Sequence, residues 1–329
     1  MGGFSVNVLT FSDFGGPGVF RSTEQPTPEP QSGEVRIRVT AAGVNRADLL
    51  QREGKYPPPA DAPPWPGLEV SGIIDTIGRE VRGWSAGDRV CALIPGGGYA
   101  EYCVAPESLL LPAPSGISLV AAAGLPEAAC TVWSNLRAAG ARPGETILIH
   151  GGSGGIGTLA IQIAKAHGMR VLTTARGPAR AARCLDLGAD HAIDYSEEDF
   201  AEYAKELGGV DVILDVIGGL YLSRNIDALA LGGRLVIIGL QGGTRAELDL
   251  RALMEKRAQV LATTLRTRPL RERAMIVADV RENVWPLIPD AIQPVVHAVF
   301  PLEEAGHAHE VIESGEAFGK VLLAVGDGD

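Results

Sequence analysis

At 329 residues the chain is long enough for two domains with cores of their own, since single cores stop growing near roughly 250 to 300 residues. Its 40 acidic and 29 basic residues leave a formal charge of −11, which repels phosphate backbones and anionic lipid and points to small-molecule partners rather than nucleic acid or a membrane surface. Although 46% of the residues are hydrophobic, no run reaches the roughly 20 apolar residues that span a bilayer, so the chain reads as soluble. The start MGGFSVNVLTF carries no targeting signal, and the cysteines at 91, 103, 130 and 184 form no C-x-x-C pair, which together point to a reducing, cytoplasmic setting.

From about residue 5 to 112 the runs VRIRV (35–39), EVSGIIDTIG (69–78), GDRVCAL (87–93) and YAEYCVAP (99–106) alternate between Gly- and Pro-rich turns and predict an antiparallel β region. Two proline stretches, Pro26 to Pro30 and YPPPADAPPWPG (56–67), lack the N–H groups a central strand needs. They read as rigid connectors; the second, with Tyr56 and Trp65, alternatively flanks a substrate entrance. The texture then changes. TILIH (146–150), RVLTT (170–174), DVILD (211–215), RLVIIG (234–239) and QVLATT (259–264) are apolar runs with helix-like stretches between several of them, as in buried parallel strands of βαβ units. A helical AMIVADVRENVW, a short strand near 295–300, HAHEVIESG and the strand KVLLAV close the chain and are expected to return to the first domain.

The stretch ILIHGGSGGIG (147–157) follows a strand and opens a helix, and it fits three motifs. As a nucleotide P-loop it fails, because Gly157 stands where a Lys must precede Thr158. As a G-x-S-x-G hydrolase elbow it would need Ser153 activated by a later His, for which 167, 191, 297, 307 and 309 are available; against this, it opens a βαβ region after a β-rich domain. As G-x-G-x-x-G every glycine has a purpose: Gly152 for the turn, Gly154 for backbone approach to a pyrophosphate, Gly157 for helix-on-strand packing, with Ser153, Gly155 and Ile156 lining the helix start. The dinucleotide reading is favoured.

An NAD site would show an acid about 20 residues on, bonding the ribose 2′-hydroxyl. Between Thr158 and Leu185 there is no carboxylate; instead RVLTT runs into ARGPAR, placing Arg176 and Arg180 where a 2′-phosphate would lie. NADP(H) is therefore expected, unless both arginines are ordinary solvated charges.

The segments AAGVNRADLLQREGKYPPP, PGLEVSGII, the glycine loop, LDVIGG, IIGLQGG and the closing GKVLL together resemble the medium-chain dehydrogenase/reductases, specifically their zinc-independent, zeta-crystallin-like quinone oxidoreductase branch, over nearly the whole chain. The resemblance implies an α/β protein in which a doubly wound, parallel-sheet Rossmann domain is inserted in a β-rich, chaperonin-10-like catalytic domain, and commonly a homodimer. The boundaries expected are 1–122 and 267–329 for the catalytic domain and 123–266 for the dinucleotide-binding domain.

Zinc-bearing members resemble this chain but carry Cys where Asn45 stands and His where Leu68 stands; an amide and a leucine cannot replace those ligands, so no metal is expected. His307-x-His309 is no substitute, because residues two apart on a helix point in different directions. Without a Lewis acid the substrate should accept hydride readily, as quinones do, or activated enones reduced at the carbon–carbon double bond; a cofactor-binding, crystallin-like protein with little catalysis is the reading from another class.

Asn45-x-x-Asp48 before Leu49 reads as a helix cap with an acidic N3 residue. By resemblance the same two residues line the substrate pocket, where Asn45 would donate to the oxygen that becomes negative and Asp48 would accept. Tyr56, a donor hydroxyl on an aromatic face, reads either as stacking on a quinone or relaying a proton, or as packing under the proline loop. Also by resemblance, Thr131, Arg180, Tyr195, Gly239, Leu240, Leu265, Arg266, Phe318, Gly319 and Lys320 contact the coenzyme. A Thr131 inside an apolar helix otherwise bonds back to a carbonyl. Gly315 stands where some relatives have a basic residue, a loss for which Arg176 compensates.

Overall fold

The structure, a computed structural model, describes residues 5–326. By contacts the chain separates into two compact units: unit 1 comprises the residues up to Cys130, Arg266–Pro289 and those from Pro294 on, and unit 2 comprises Thr131–Leu265 with Asp290–Gln293.

Unit 1 holds β1 (Ser5–Thr10), β2 (Arg21–Pro26), β3 (Glu34–Val44), β4 (Glu69–Ile77), β5 (Arg89–Leu93), β6 (Tyr102–Pro106) and β7 (Leu110–Pro112). Strands β1 and β2 form an antiparallel ribbon that ends at Pro26, at the edge position a proline tolerates. In β3 the alternation of VRIRV is realised: Val35, Ile37 and Val39 are buried, with Arg36 and Arg38 on the other face. Each such buried Val or Ile contributes about 1.5–3 kcal/mol. This strand is the spine of a seven-stranded sheet, pairing antiparallel with β4, β6 and a strand from the far end of the chain.

Unit 2 carries β8 (Thr146–Ile149), β9 (Arg170–Ala175), β10 (His191–Asp194), β11 (Val210–Asp215), β12 (Leu229–Ile237) and β13 (Gln259–Ala262) in the order β10-β9-β8-β11-β12-β13. All pairings are parallel. The chain starts at the centre and reverses direction between β8 and β11, the doubly wound arrangement that leaves a crevice at the carboxyl ends of those strands. Ile147, Leu148, Val171, Leu172, Val212 and Ile213 are fully buried, because helices cover both faces. Strand β10 is not apparent from the sequence, since HAID offers four residues and little apolar run; its place is fixed by backbone pairing with β9.

The final strands, β14 (Val296–Pro301) and β15 (Lys320–Ala324), belong to the unit 1 sheet, where β15 lies between β14 and β3. Helix Ala305–Ser314 connects them and buries Ala305, Ala308 and His309 while His307 stays exposed. Among the described residues no helix is long and apolar enough to cross a membrane.

Candidate functional site

In unit 2 the turn after β8 runs through Gly151 to Gly157 into helix Gly155–Ala166, whose N-cap Gly154 is not capped by any side chain. The first-turn N–H groups therefore face outward without a side-chain acceptor, at the positive end of the helix dipole. A Cβ on Gly157 would run into the Gly151 carbonyl and the Gly152 backbone, and one on Gly152 into the Thr173 side chain, so turn, helix and β9 pack with no room for one. Thr174 fixes the turn from below: its carbonyl accepts from Gly152 N at 2.9 Å and its hydroxyl from Gly151 N at 3.2 Å. Ser153 and Ile156 lie half-buried on this turn.

Beneath it runs a buried polar chain absent from the sequence-based reading. His150 Nδ1 lies 3.1 Å from the Thr174 hydroxyl and Nε2 lies 2.7 Å from Asn225 Oδ1, while Asn225 Nδ2 donates to Asp215 at 3.1 Å. Asp215 also accepts from Ile217 N and Gly218 N. Burial pushes His150 down to about 4 and Asp215 up to about 6. The chain ties the loop after β8 to the loop after β11, the two that flank the reversal point.

At the end of β9, Arg176 is exposed with its guanidinium 5.9 Å from the ring centroid of Tyr195, and Arg180 follows in helix Pro178–Asp186. The structure thus brings Arg176 and Tyr195 together. Asp194 anchors the turn between them, accepting from Gly177 N at 2.9 Å and from the Ser196 hydroxyl at 2.5 Å; the Ser196 bond holds its carboxyl below the usual range. Gly239 and Leu240 follow β12, where Leu240 lines a cavity of about 520 Å³ with Gly218, Leu222, Ile237 and Arg245. Thr131 is buried and its carbonyl accepts from Asn135 Nδ2 at 2.7 Å; Leu265 is half-buried.

In unit 1 the turn Asn45–Asp48 begins helix Arg46–Arg52 with a reciprocal capping box, as its spacing predicts. Asp48 is fully buried and accepts from Asn45 N at 2.8 Å and Gly67 N at 2.9 Å; burial raises it to about 6 against those bonds and the Arg266 and Lys320 charges. Lys320, at the start of β15, turns its ammonium inward, 2.7 Å from Asn45 Oδ1 and 2.5 Å from Glu69 Oε1. Glu69 is fully buried; Asn45 Nδ2 donates to its Oε1 at 2.9 Å and Glu127 N to its Oε2 at 2.9 Å. The amide of Asn45 thus donates to Glu69 and to the Gly43 carbonyl, at 3.4 Å. Glu69 itself escaped the sequence reading, although it stands in the quoted PGLEVSGII.

Arg266 is also placed in this floor. Its Nε donates to Pro95 O at 2.6 Å, its Nη2 to Gln51 Oε1 at 2.7 Å, and its face lies 5.4 Å from the Tyr56 ring, while buried Nη1 has no partner among the described residues. Tyr56 is half-buried, and burial raises its hydroxyl. Phe318 is buried with its N–H on His297 Nδ1, and Gly319 adopts φ +95° where a Cβ would strike the Val295 carbonyl. Among the described residues no group of three or more His, Cys, Asp or Glu is arranged to hold a metal.

Comparison with known proteins adds what geometry alone does not. The profile of the alcohol dehydrogenase GroES-like domain matches residues 31–115 and that of the zinc-binding dehydrogenase family residues 155–279. Quinone oxidoreductases of Mus musculus and Rattus norvegicus are 34% and 33% identical, each alignment covering 97% of both proteins. The Escherichia coli quinone oxidoreductase solved in complex with NADPH superposes with a TM-score of 0.85 at 30% identity, covering 97% of this chain and 99% of that one. An NAD-dependent alcohol dehydrogenase structure gives 0.84 at 32% identity, covering 98% and 100%. The doubly wound sheet of unit 2, its uncapped glycine turn and the likeness to a structure solved with NADPH support binding of a nicotinamide dinucleotide. The chain is an oxidoreductase and belongs to the quinone oxidoreductase family of the medium-chain dehydrogenase/reductase superfamily.

Proposed function

We propose that the protein is an NADPH-dependent, zinc-free reductase of quinones and related electron-poor carbonyl compounds. The observation that carries this reading is the Lys320 ammonium seated between Asn45 and Glu69. Zinc needs thiolate, imidazole or carboxylate ligands converging on one point. Here Asn45 offers an amide, Leu68 an apolar chain, and Glu69 is already paired with a cation, so the donor set does not fit zinc. A substrate that takes hydride without Lewis-acid polarisation follows, and quinones meet that condition.

The uncapped helix start fits a pyrophosphate, and the pair Arg176 and Arg180 with Tyr195 fits a 2′-phosphate. Thr131, Gly239, Leu240 and Leu265 are assigned to the rest of the coenzyme. When bound, the reduced nicotinamide supplies the hydride. The protein's own part at the acceptor is to offer donors to an oxygen that becomes negative: Arg266 Nη1 and the Tyr56 hydroxyl are the groups suited to this, and Asn45 and Asp48 hold the floor in shape. Conversion of a quinone to its hydroquinone consumes one hydride and one proton.

A homodimer fits unit 2. Strand β13 is an edge strand, and Val260, Leu248, Leu250 and Met254 are exposed on this unit, a surface that a second copy would cover. The functional test is loss of NADPH absorbance with 1,2-naphthoquinone or a benzoquinone. Turnover is expected; binding of NADPH without turnover across a small quinone panel would favour a crystallin-like, non-catalytic role and overturn the reading.

A further inference from the structure

Five side chains of unit 1 form a line from the surface to the substrate floor, and four of them are at most 1% exposed: Arg52, His309, Tyr99 and Asp48. At the outer end Glu313, partly exposed on helix Ala305–Ser314, pairs with Arg52 Nη2, while Arg52 Nε donates to Gly15 O at 2.9 Å. Arg52 Nη1 lies 3.4 Å from His309 Nδ1. His309 Nε2 lies 3.0 Å from the Tyr99 hydroxyl, and the charge of Asp48 acts on that hydroxyl. The His309 and Phe20 rings pack T-shaped at a centroid distance of 4.9 Å.

The chemistry of each group sets the direction of this line. A guanidinium only donates, so His309 Nδ1 must accept; its proton then sits on Nε2 and is given to the Tyr99 oxygen, leaving the phenolic hydrogen for Asp48. Burial and the Arg52 charge push His309 down to about 3, so the ring is neutral, and burial with Asp48 nearby keeps Tyr99 protonated. Because arginine does not release a proton and His309 holds only one, the line does not conduct protons; it can only orient.

We propose that Arg52, His309 and Tyr99 are positioning residues of the reaction, a tautomer-locked strut that holds Asp48 as an acceptor and so fixes the Asn45–Asp48 turn against which Lys320 is seated. The proposal rests on reading the unit 1 floor as the substrate site. The charged and titratable groups around Asp48 are Arg266, Lys320 and Tyr99, with Glu69 acting on Tyr99 from β4. Removing the Tyr99 hydroxyl withdraws its dipole from the carboxylate form, so Asp48 holds its proton to higher pH.

The test compares quinone reduction with NADPH, as a function of pH, for the native protein, Tyr99→Phe, His309→Leu and His309→Gln. Glutamine can accept from Arg52 and donate to Tyr99 as the locked imidazole does; leucine can do neither. Tyr99→Phe and His309→Leu should lower kcat about tenfold, leave KM for NADPH within about twofold and move the acid limb, near pH 6 in the native protein, up by roughly one pH unit, whereas His309→Gln should restore both. An unmoved limb in a folded Tyr99→Phe, or His309→Gln no better than His309→Leu, overturns the proposal. A proton–nitrogen NMR correlation of the native protein reads the strut without turnover or any variant: neutral His309 with its proton on Nε2 between about pH 5 and 8 supports it, and a proton on Nδ1 overturns it. If the native protein reduces no quinone, the functional reading fails while this spectrum still decides on the strut.

Discussion

The glycine turn of unit 2 and the floor of unit 1 are built by opposite means. The turn uses consecutive residues, Gly151 to Gly157, between one strand and one helix, and its donors are backbone N–H groups. The floor gathers side chains from the length of the chain, and Asn45 and Lys320, 275 residues apart in sequence, share a hydrogen bond. A backbone site is insensitive to most side-chain changes but intolerant of a single added Cβ. A buried side-chain site is sensitive to charge balance, because each ion depends on another for its solvation.

The floor should show the largest effect. Lys320→Met removes the cation paired with the fully buried Glu69, which should cost about 3–5 kcal/mol of unfolding free energy in urea titrations, and adding Glu69→Gln should recover most of it. A loss under about 1 kcal/mol in the single variant would mean that the pair is solvated and the contrast with the turn is false. The turn should fail differently. Gly157→Val forces the Gly151–Gly152 backbone to move and should weaken NADPH binding by about a hundredfold or more, whereas Ser153→Ala should change it by less than about threefold. Comparable losses from both would make Ser153 a functional side chain and revive the hydrolase reading of the loop.

A subtler expectation concerns what the two regions share. Each buries one aspartate raised to about 6, Asp48 and Asp215, and one histidine lowered to about 3 or 4, His309 and His150. The raised acids stabilise the fold below their unfolded values, and that contribution is lost as pH rises through about 6. The lowered histidines contribute stability above about pH 6.5 that is lost as pH falls through about 4 and about 3. Between about pH 4.5 and 6 the folded chain carries two protons on its acids and the unfolded chain two on its histidines, so these four groups cancel. The melting temperature should be nearly flat over that window, and His309→Leu should tilt it so that stability falls as pH rises. A steep native slope would contradict the opposed shifts.

The same contrast explains what was legible in the sequence. The glycine turn, the strands of VRIRV and TILIH, and the Asn45–Asp48 capping box are local patterns, set by periodicity or by residues three to six apart. The lack of a carboxylate between Thr158 and Leu185 is likewise local, and it pointed to Arg176, which the fold sets against Tyr195. What escaped depends on tertiary approach. Glu69 and Lys320 carry no mutual signal until β15 returns beside β3, and Tyr99 and His309 meet only when helix Ala305–Ser314 is in place. Asn45 reads as a donor from its residue type; that its amide meets Glu69 is information only the packing holds.

The most direct test of the coenzyme assignment is a calorimetric titration of the native protein and of the Arg176→Glu, Arg180→Glu double variant with NADPH and with NADH. Tighter NADPH binding in the native protein is predicted, with the double variant losing about a hundredfold for NADPH and less than about threefold for NADH, as charge-assisted bonds to a 2′-phosphate require. Equal native affinities, or equal losses for both coenzymes, would contradict the account.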